Sequence, residues 1–199
     1  MSTMTTPRRP ATVFNLPNQL TASRLVLAVV LFALIAAELW LAALAVFAVA
    51  AFTDWLDGYL ARVQGLTSSL GRMLDPLVDK VLVTGAFIFL LPYGTPGGWL
   101  TPWMVVVVVA REFLITGLRS YLESLGAQFG ADWLGKVKMV LQCAAIIAAL
   151  VSLHDPRAAF VAARDWSIWA MLAATILSGV QYAWRGYQVL RADPEKANF

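Results

Sequence analysis

Long apolar runs alternate along this chain with short polar interruptions: Leu25–Ala37, Leu39–Phe52, Val81–Leu91, Met104–Ala110, Met139–Leu153 and Ile168–Val180. A helix needs about 20 residues to cross the hydrocarbon of a bilayer. With their flanks, the runs predict six spans, at Thr21–Glu38, Leu39–Arg62, Gly71–Leu91, Thr101–Leu122, Leu134–Leu153 and Asp165–Val189. The expected fold is all-α, a polytopic membrane bundle of six transmembrane helices. It forms one domain over residues 14–191, with tails at 1–13 and 192–199 expected to be disordered. The mixed stretch Phe14–Thr21 reads as an interfacial segment before the first span. Asn18 or Thr21 would cap that span's start, or both would serve a ligand.

Composition narrows the class. Only 14% of the residues are charged and 60% are hydrophobic, so the chain cannot cover a water-facing surface of its own. The first run starts too far in, and lacks a convincing small-residue cleavage site, so it is not expected to be a removed signal peptide. The single cysteine, Cys143, excludes an internal disulfide and a thiolate metal site, and reads as a small packing residue.

Charge sets orientation. Arg8, Arg9, Arg62, Arg72, Arg119, Lys136, Lys138, Arg185, Arg191 and Lys196 fall on one side of the predicted spans. The other side has Glu38, the uncharged Pro92–Pro102 loop, and a loop with Arg157 and Arg164. The positive-inside bias then places both termini in the cytoplasm. The net charge of +3 reflects this asymmetry and gives no reason to expect nucleic acid as a partner.

Against this background four aspartates stand out: Asp54, Asp57, Asp75 and Asp79. An ionisable residue inside a membrane span costs roughly 2.5–3.5 kcal/mol on insertion scales and marks function. Asp54, Asp57, Gly58 and Ala61 share one helical face by their spacing, and Asp75 and Asp79 share another. With the two spans joined by a short loop, the four carboxylates can converge. Hard oxygen donors of this number suit two divalent cations, Mg2+ or Mn2+, as in two-metal phosphoryl transfer. Gly58 and Ala61 leave that face free of bulk. Asp54 lies about 12 Å below the end of its span, so the site is expected to open to the cytoplasm just under the headgroups.

The segment Asp54–Asp79 follows the pattern D-x2-D-G-x2-A-R-x8-G-x3-D-x3-D at every position. This resembles the signature of the CDP-alcohol phosphatidyltransferases, six-helix membrane enzymes that move a phosphatidyl or related group from a CDP-linked donor to an alcohol and release CMP. The resemblance implies that Asp54, Asp57, Asp75 and Asp79 hold two divalent ions and that Asp79 is also the general base. It implies that Gly58, Ala61, Arg62, Ser68 and Gly71 border the cytidine diphosphate, with Arg62 at the pyrophosphate. Ser69, adjacent to Ser68, could serve in its place. It also implies a homodimer.

The acceptor has to be read elsewhere. Arg111 lies too deep in its span to snorkel easily, about 16 Å from Leu122. It shares a face with Ile115 and Arg119, with Glu112 and Thr116 beside them. For Glu112 the alternative reading is an internal Arg–Glu pair that holds the bundle together. Lys136 and Lys138 open the fifth span, where lysines oppose the helix dipole unless an anion arrives. Arg111, Thr116, Arg119, Lys136 and Lys138 are therefore expected to seat an acceptor's phosphate. Asn15, Pro17, Asn18, Thr21 and Arg24, with the Arg111–Arg119 and Gly135–Lys138 segments, resemble one branch of the family. In that branch CDP-diacylglycerol is the donor and sn-glycerol 3-phosphate the acceptor; Asn18 and Thr21 then belong with the donor site. Met139 departs from the threonine often found there.

Rival readings are an inositol phosphate, serine or phosphatidylglycerol acceptor, and a divalent-cation or proton transporter. A transporter would place its carboxylates near the midplane, in broken helices and related repeats, and no repeat is evident here. The aromatics Trp166, Trp169, Tyr182, Trp184 and Tyr187 read as interfacial belts, and His154 carries no expected chemistry.

Overall fold

A computed structural model describes the backbone over residues 16–64, 69–124 and 133–192, and side chains over 22–53, 77–78, 80–122, 124, 133–188 and 191. The described residues form six helices: α1 (Leu16–Ala36), α2 (Trp40–Gln64), α3 (Ser69–Gly94), α4 (Pro102–Ser124), α5 (Trp133–His154) and α6 (Ala158–Ala192).

The helix ends follow local chemistry. At the end of α1 the Leu39 amide donates to the Leu34 carbonyl and the Glu38 amide to Ile35, with Glu38 at a φ of 59°. This is the Schellman arrangement, in which a left-handed residue satisfies the last carbonyls. Gly98, at a φ of 69°, makes the turn between α3 and α4. Pro102 then occupies the first position of α4, where its missing N–H costs nothing.

Two starts differ from expectation. α1 begins at Leu16, so Pro17 sits in its first turn, and Asn18 and Thr21 lie inside the helix. Neither is the N-cap, and the expected interfacial segment from Leu16 onward is the beginning of α1; Phe14 and Asn15 lie outside the described residues. α6 begins at Ala158 and not near Asp165. The Arg157 carbonyl accepts from the Phe160 and Val161 amides at 2.9 and 3.1 Å, starting the helix early. Arg164 and Asp165 pair at 2.8 Å, and the Arg164 guanidinium lies 4.5 Å from the Trp99 ring centroid, so these charges are accommodated within a helix.

Each helix turns a narrow apolar stripe inward. Ala28, Leu31 and Ile35 of α1 meet Ala43, Phe47 and Ala50 of α2, and Leu82, Ala86, Phe87 and Leu90 of α3. α4 contributes Met104, Val105 and Val108, α5 Ala145, Ile146, Ala149 and Leu150, and α6 Ile168, Met171 and Leu172. The spacing of three and four residues is that of one helical face. α1 packs on α2 and α3, α5 packs on α6, α2 and α3, and α4 packs on α6 and α3.

The outward faces are apolar too. Val26, Val29, Leu41, Val49, Phe52, Val106, Leu114, Val140, Leu177 and Val180 are all exposed, a surface suited to lipid and not to water. Trp133–His154 and Ala158–Gln188 are each long and apolar enough to cross a membrane, by length and composition. Among the described residues, Ala22–Ala36, Trp40–Thr53 and Lys80–Gly94 are shorter apolar helical stretches.

Candidate active site

Side-chain contacts fix which helix ends lie together. The Tyr93 hydroxyl, at the end of α3, donates to the Ile35 carbonyl at the end of α1, and its ring meets Trp40 at the start of α2 edge-on. Trp99, between α3 and α4, takes Arg164 from the first half of α6. One end of the bundle is thus defined, and the other gathers the C-terminal halves of α2, α4 and α6 with the N-terminal halves of α1, α3 and α5.

All four aspartate positions fall at that second end. Asp57 lies seven residues before the last residue of α2 and Asp75 six residues after the first of α3, about 10 and 9 Å along their axes. Asp54 and Asp79 are each ten residues from the same ends, about 15 Å. The two pairs therefore stand at matching heights on two helices that both pack against α1 and α5. The side chains of Asn18, Thr21, Asp54, Asp57, Gly58, Ala61, Arg62, Gly71, Asp75 and Asp79, and Ser68 entirely, lie outside the described residues. Among the described residues no three His, Cys, Asp or Glu side chains stand together to hold a metal ion. The aspartates of α2 and α3 remain the donor set whose chemistry fits hard divalent cations.

A cationic cluster occupies the same end, where α4, α5 and α6 meet. Glu112 of α4 is buried, and its Oε1 accepts from the Lys138 ammonium of α5. The same oxygen accepts from Gln142 Nε2 at 3.3 Å and lies 3.5 Å from Arg111 Nη1. Tyr182 of α6 completes the junction: its ring centroid lies 5.8 Å from the Arg111 guanidinium carbon. Gly179, also on α6, borders the Arg111 stem; a Cβ there would stand 3.4 Å from Arg111 Cγ, within ordinary contact. Two cations less one carboxylate leave this cluster one net positive charge.

Of the residues expected at an acceptor phosphate, the structure brings Arg111 and Lys138 together. Arg119 and Lys136 are exposed, on α4 and in the first turn of α5. The Thr116 hydroxyl donates to the Glu112 carbonyl at 2.7 Å, a bond within its own helix. Sequence reading missed Gln142, and it assigned Tyr182 to an interfacial belt. Trp166, Trp169, Trp184 and Tyr187 are indeed exposed, but Tyr182 is buried against Arg111. The missed signal was register: Tyr182 lies three, four and seven residues from Gly179, Ser178 and Thr175, on the face of α6 that turns inward.

The family model for CDP-alcohol phosphatidyltransferase matches residues 14–178. The chain belongs to this family. As a CDP-alcohol phosphatidyltransferase it is similar to a protein of Bacillus subtilis strain 168 named CDP-diacylglycerol–glycerol-3-phosphate 3-phosphatidyltransferase. The two are 35% identical, over 90% of this chain and 98% of the relative. Proteins of the same name from Escherichia coli K12 and Salmonella typhimurium LT2 are each 36% identical, over 67% of this chain and 75% of theirs. The family-matched region contains α1 to α5 and α6 up to Ser178, so the four aspartates, Arg111, Glu112, Lys138 and Gln142 lie inside it and Gly179 and Tyr182 just beyond it.

Proposed function

We propose that this chain transfers the phosphatidyl group of CDP-diacylglycerol to the 1-hydroxyl of sn-glycerol 3-phosphate, giving phosphatidylglycerophosphate and CMP. The observation that carries the reading is the placement of the D-x2-D-G-x2-A-R-x8-G-x3-D-x3-D aspartates at the same bundle end as the buried Arg111–Glu112–Lys138 cluster. It is supported by likeness, over nearly the whole length, to one relative named for that reaction, and over two thirds of the chain to others.

The donor's anionic head belongs at α2 and α3, bordered by Gly58, Ala61, Arg62, Ser68 and Gly71, with Asn18 and Thr21 of α1 nearby. Two divalent ions, Mg2+ or Mn2+, are to be held by Asp54, Asp57, Asp75 and Asp79, where they would neutralise pyrophosphate charge and stabilise the leaving CMP. Asp79 takes the proton of the acceptor 1-hydroxyl. That oxygen bonds to the phosphorus on the diacylglycerol side while the bond from this phosphorus to the CMP oxygen breaks. Arg111 and Lys138, with Arg119, Lys136 and Thr116 around them, seat the acceptor's phosphate. An uncharged acceptor alcohol has no use for so many cations. A hydroxyl is a poor nucleophile at neutral pH, so positioning supplies much of the acceleration.

In this reading the six helices are six spans of the cytoplasmic membrane, and both termini and the active site face the cytoplasm. The domain covers residues 14–191, with tails at 1–13 and 192–199, and the protein works as a homodimer. The test is CMP release by detergent-solubilised protein given CDP-diacylglycerol, Mg2+ and a panel of alcohols. sn-Glycerol 3-phosphate should support turnover best, and chelation of the metal should abolish it. Equal or greater turnover with an inositol phosphate, serine or phosphatidylglycerol would reassign the acceptor. Silence with every alcohol would overturn the reading.

A further inference from the structure

We infer that Glu112 is a positioning residue: its carboxylate holds Lys138 and Arg111 side by side as a preformed seat for a phosphate monoester. This rests on the acceptor site proposed above. The physical problem is that two cations buried close together repel each other and lose their hydration. With no substrate present, one of them would turn away. Glu112 removes that conflict through a single oxygen, which accepts from Lys138 and Gln142 and lies 3.5 Å from Arg111.

A helix-to-helix pin alone would need only one cation. Here a second one leans on the same carboxylate while its guanidinium carbon lies 5.8 Å from the Tyr182 ring centroid. Arg111 Nε is moreover a buried donor that finds no hydrogen-bond partner among the described residues. An unmade bond of that kind is costly, and an incoming phosphate oxygen would satisfy it. The single net positive charge also matters. It attracts a phosphate monoester, yet it is small enough to be tolerated when the seat is empty. Glu112 touches neither substrate in this reading; it acts through Lys138 and Arg111.

The test is steady-state CMP release in detergent by wild type, Glu112→Gln and Glu112→Asp, varying each substrate in turn, with melting temperature as a control. Glu112→Gln should raise KM for sn-glycerol 3-phosphate about tenfold, the size of one lost charge-assisted contact. KM for CDP-diacylglycerol should stay within about twofold, and Glu112→Asp should recover part of the loss because it restores the charge. An unchanged acceptor KM, or a parallel change in both KM values, would overturn the inference. If Glu112→Gln is not monodisperse, Gln142→Met carries the test: it removes a donor to the same oxygen and leaves the charges in place. Its acceptor KM should rise about threefold, and no rise would overturn the inference. Wild type without activity on sn-glycerol 3-phosphate would instead sink the underlying acceptor assignment.

Discussion

The ring of Phe32 on α1 lies directly against the backbone of Gly85 on α3, in the space that a β-carbon at position 85 would need. Phe32 cannot easily retreat, because it is stacked on Phe89 with ring centroids 4.9 Å apart. Gly85→Ala gains about 1 kcal/mol of helix propensity but meets an overpacking cost of about 1–3 kcal/mol. The steric term should win, and the detergent melting temperature should fall. In a Phe32→Ala background the same substitution should turn neutral or stabilising, a sign change that a double-mutant cycle reads directly.

Glu38 holds a left-handed conformation at the end of α1 that favours glycine. For a residue with a β-carbon this costs roughly 1–2 kcal/mol. Its side chain is exposed, so little packing is lost on removing it. Glu38→Gly should raise the melting temperature, by an amount corresponding to about 1 kcal/mol once the entropy of a new glycine is deducted. A drop would mean that the carboxylate has a stabilising role of its own.

The six helices and the aspartate pattern were readable because both depend on spacing within one segment. Apolar runs predict helices, and intervals of three and four residues predict shared faces. What crosses between segments was not readable. For Glu112 the sequence offers a pair with its neighbour Arg111 as one alternative; it does approach Arg111, but its main partner is Lys138, 26 residues on and on another helix. The start of α6 was placed seven residues late because Arg164 and Asp165 look like a loop edge. In the fold they neutralise each other, and Trp99, from a different connection, covers the guanidinium. Tyr182 was misread for a similar reason: an aromatic among aromatics suggests an interface, and only packing against Arg111 distinguishes it.

The connection between α5 and α6 should give a small pH dependence. Arg157 Nε donates to Asp155 Oδ2 at 2.7 Å, and the Arg157 amide reaches Oδ1 at 3.3 Å. These hydrogen bonds, with the Arg157 charge, lower the Asp155 pKa from its ordinary value. A depressed carboxylate contributes stability above its unfolded pKa and loses it as pH falls through the folded one. Wild type should therefore lose melting temperature on acidification below the usual carboxylate range, and Asp155→Asn should show a flatter acid limb. Because the pair is solvent-exposed, the difference should be small and should shrink further in high salt.

Asp79 carries the proposed proton transfer. Asp79→Asn keeps size and shape while removing the base, so turnover should fall at least about 100-fold. CDP-diacylglycerol binding should persist, since three aspartates and Arg62 remain. Equilibrium binding of the donor and CMP release, measured on the same preparation, check the two halves. Substantial residual turnover would remove Asp79 as the base.

Arg119 and Lys138 have the same proposed ligand but very different surroundings, so their alanine variants should separate. Arg119 is exposed, and its loss should leave the melting temperature nearly unchanged while raising the acceptor KM about tenfold. Lys138 is 6% exposed and bonded to a buried carboxylate. Its removal leaves Glu112, among the described residues, with the longer approach of Arg111 and the Gln142 amide to compensate it. Breaking a buried pair from one side costs about 3–5 kcal/mol, and the remaining partners should hold the loss to the lower part of that range. Lys138→Ala should thus lower both melting temperature and acceptor affinity, whereas Arg119→Ala lowers only the second. If the acceptor KM is unchanged in both variants, the phosphate is seated elsewhere, whatever the melting curves show.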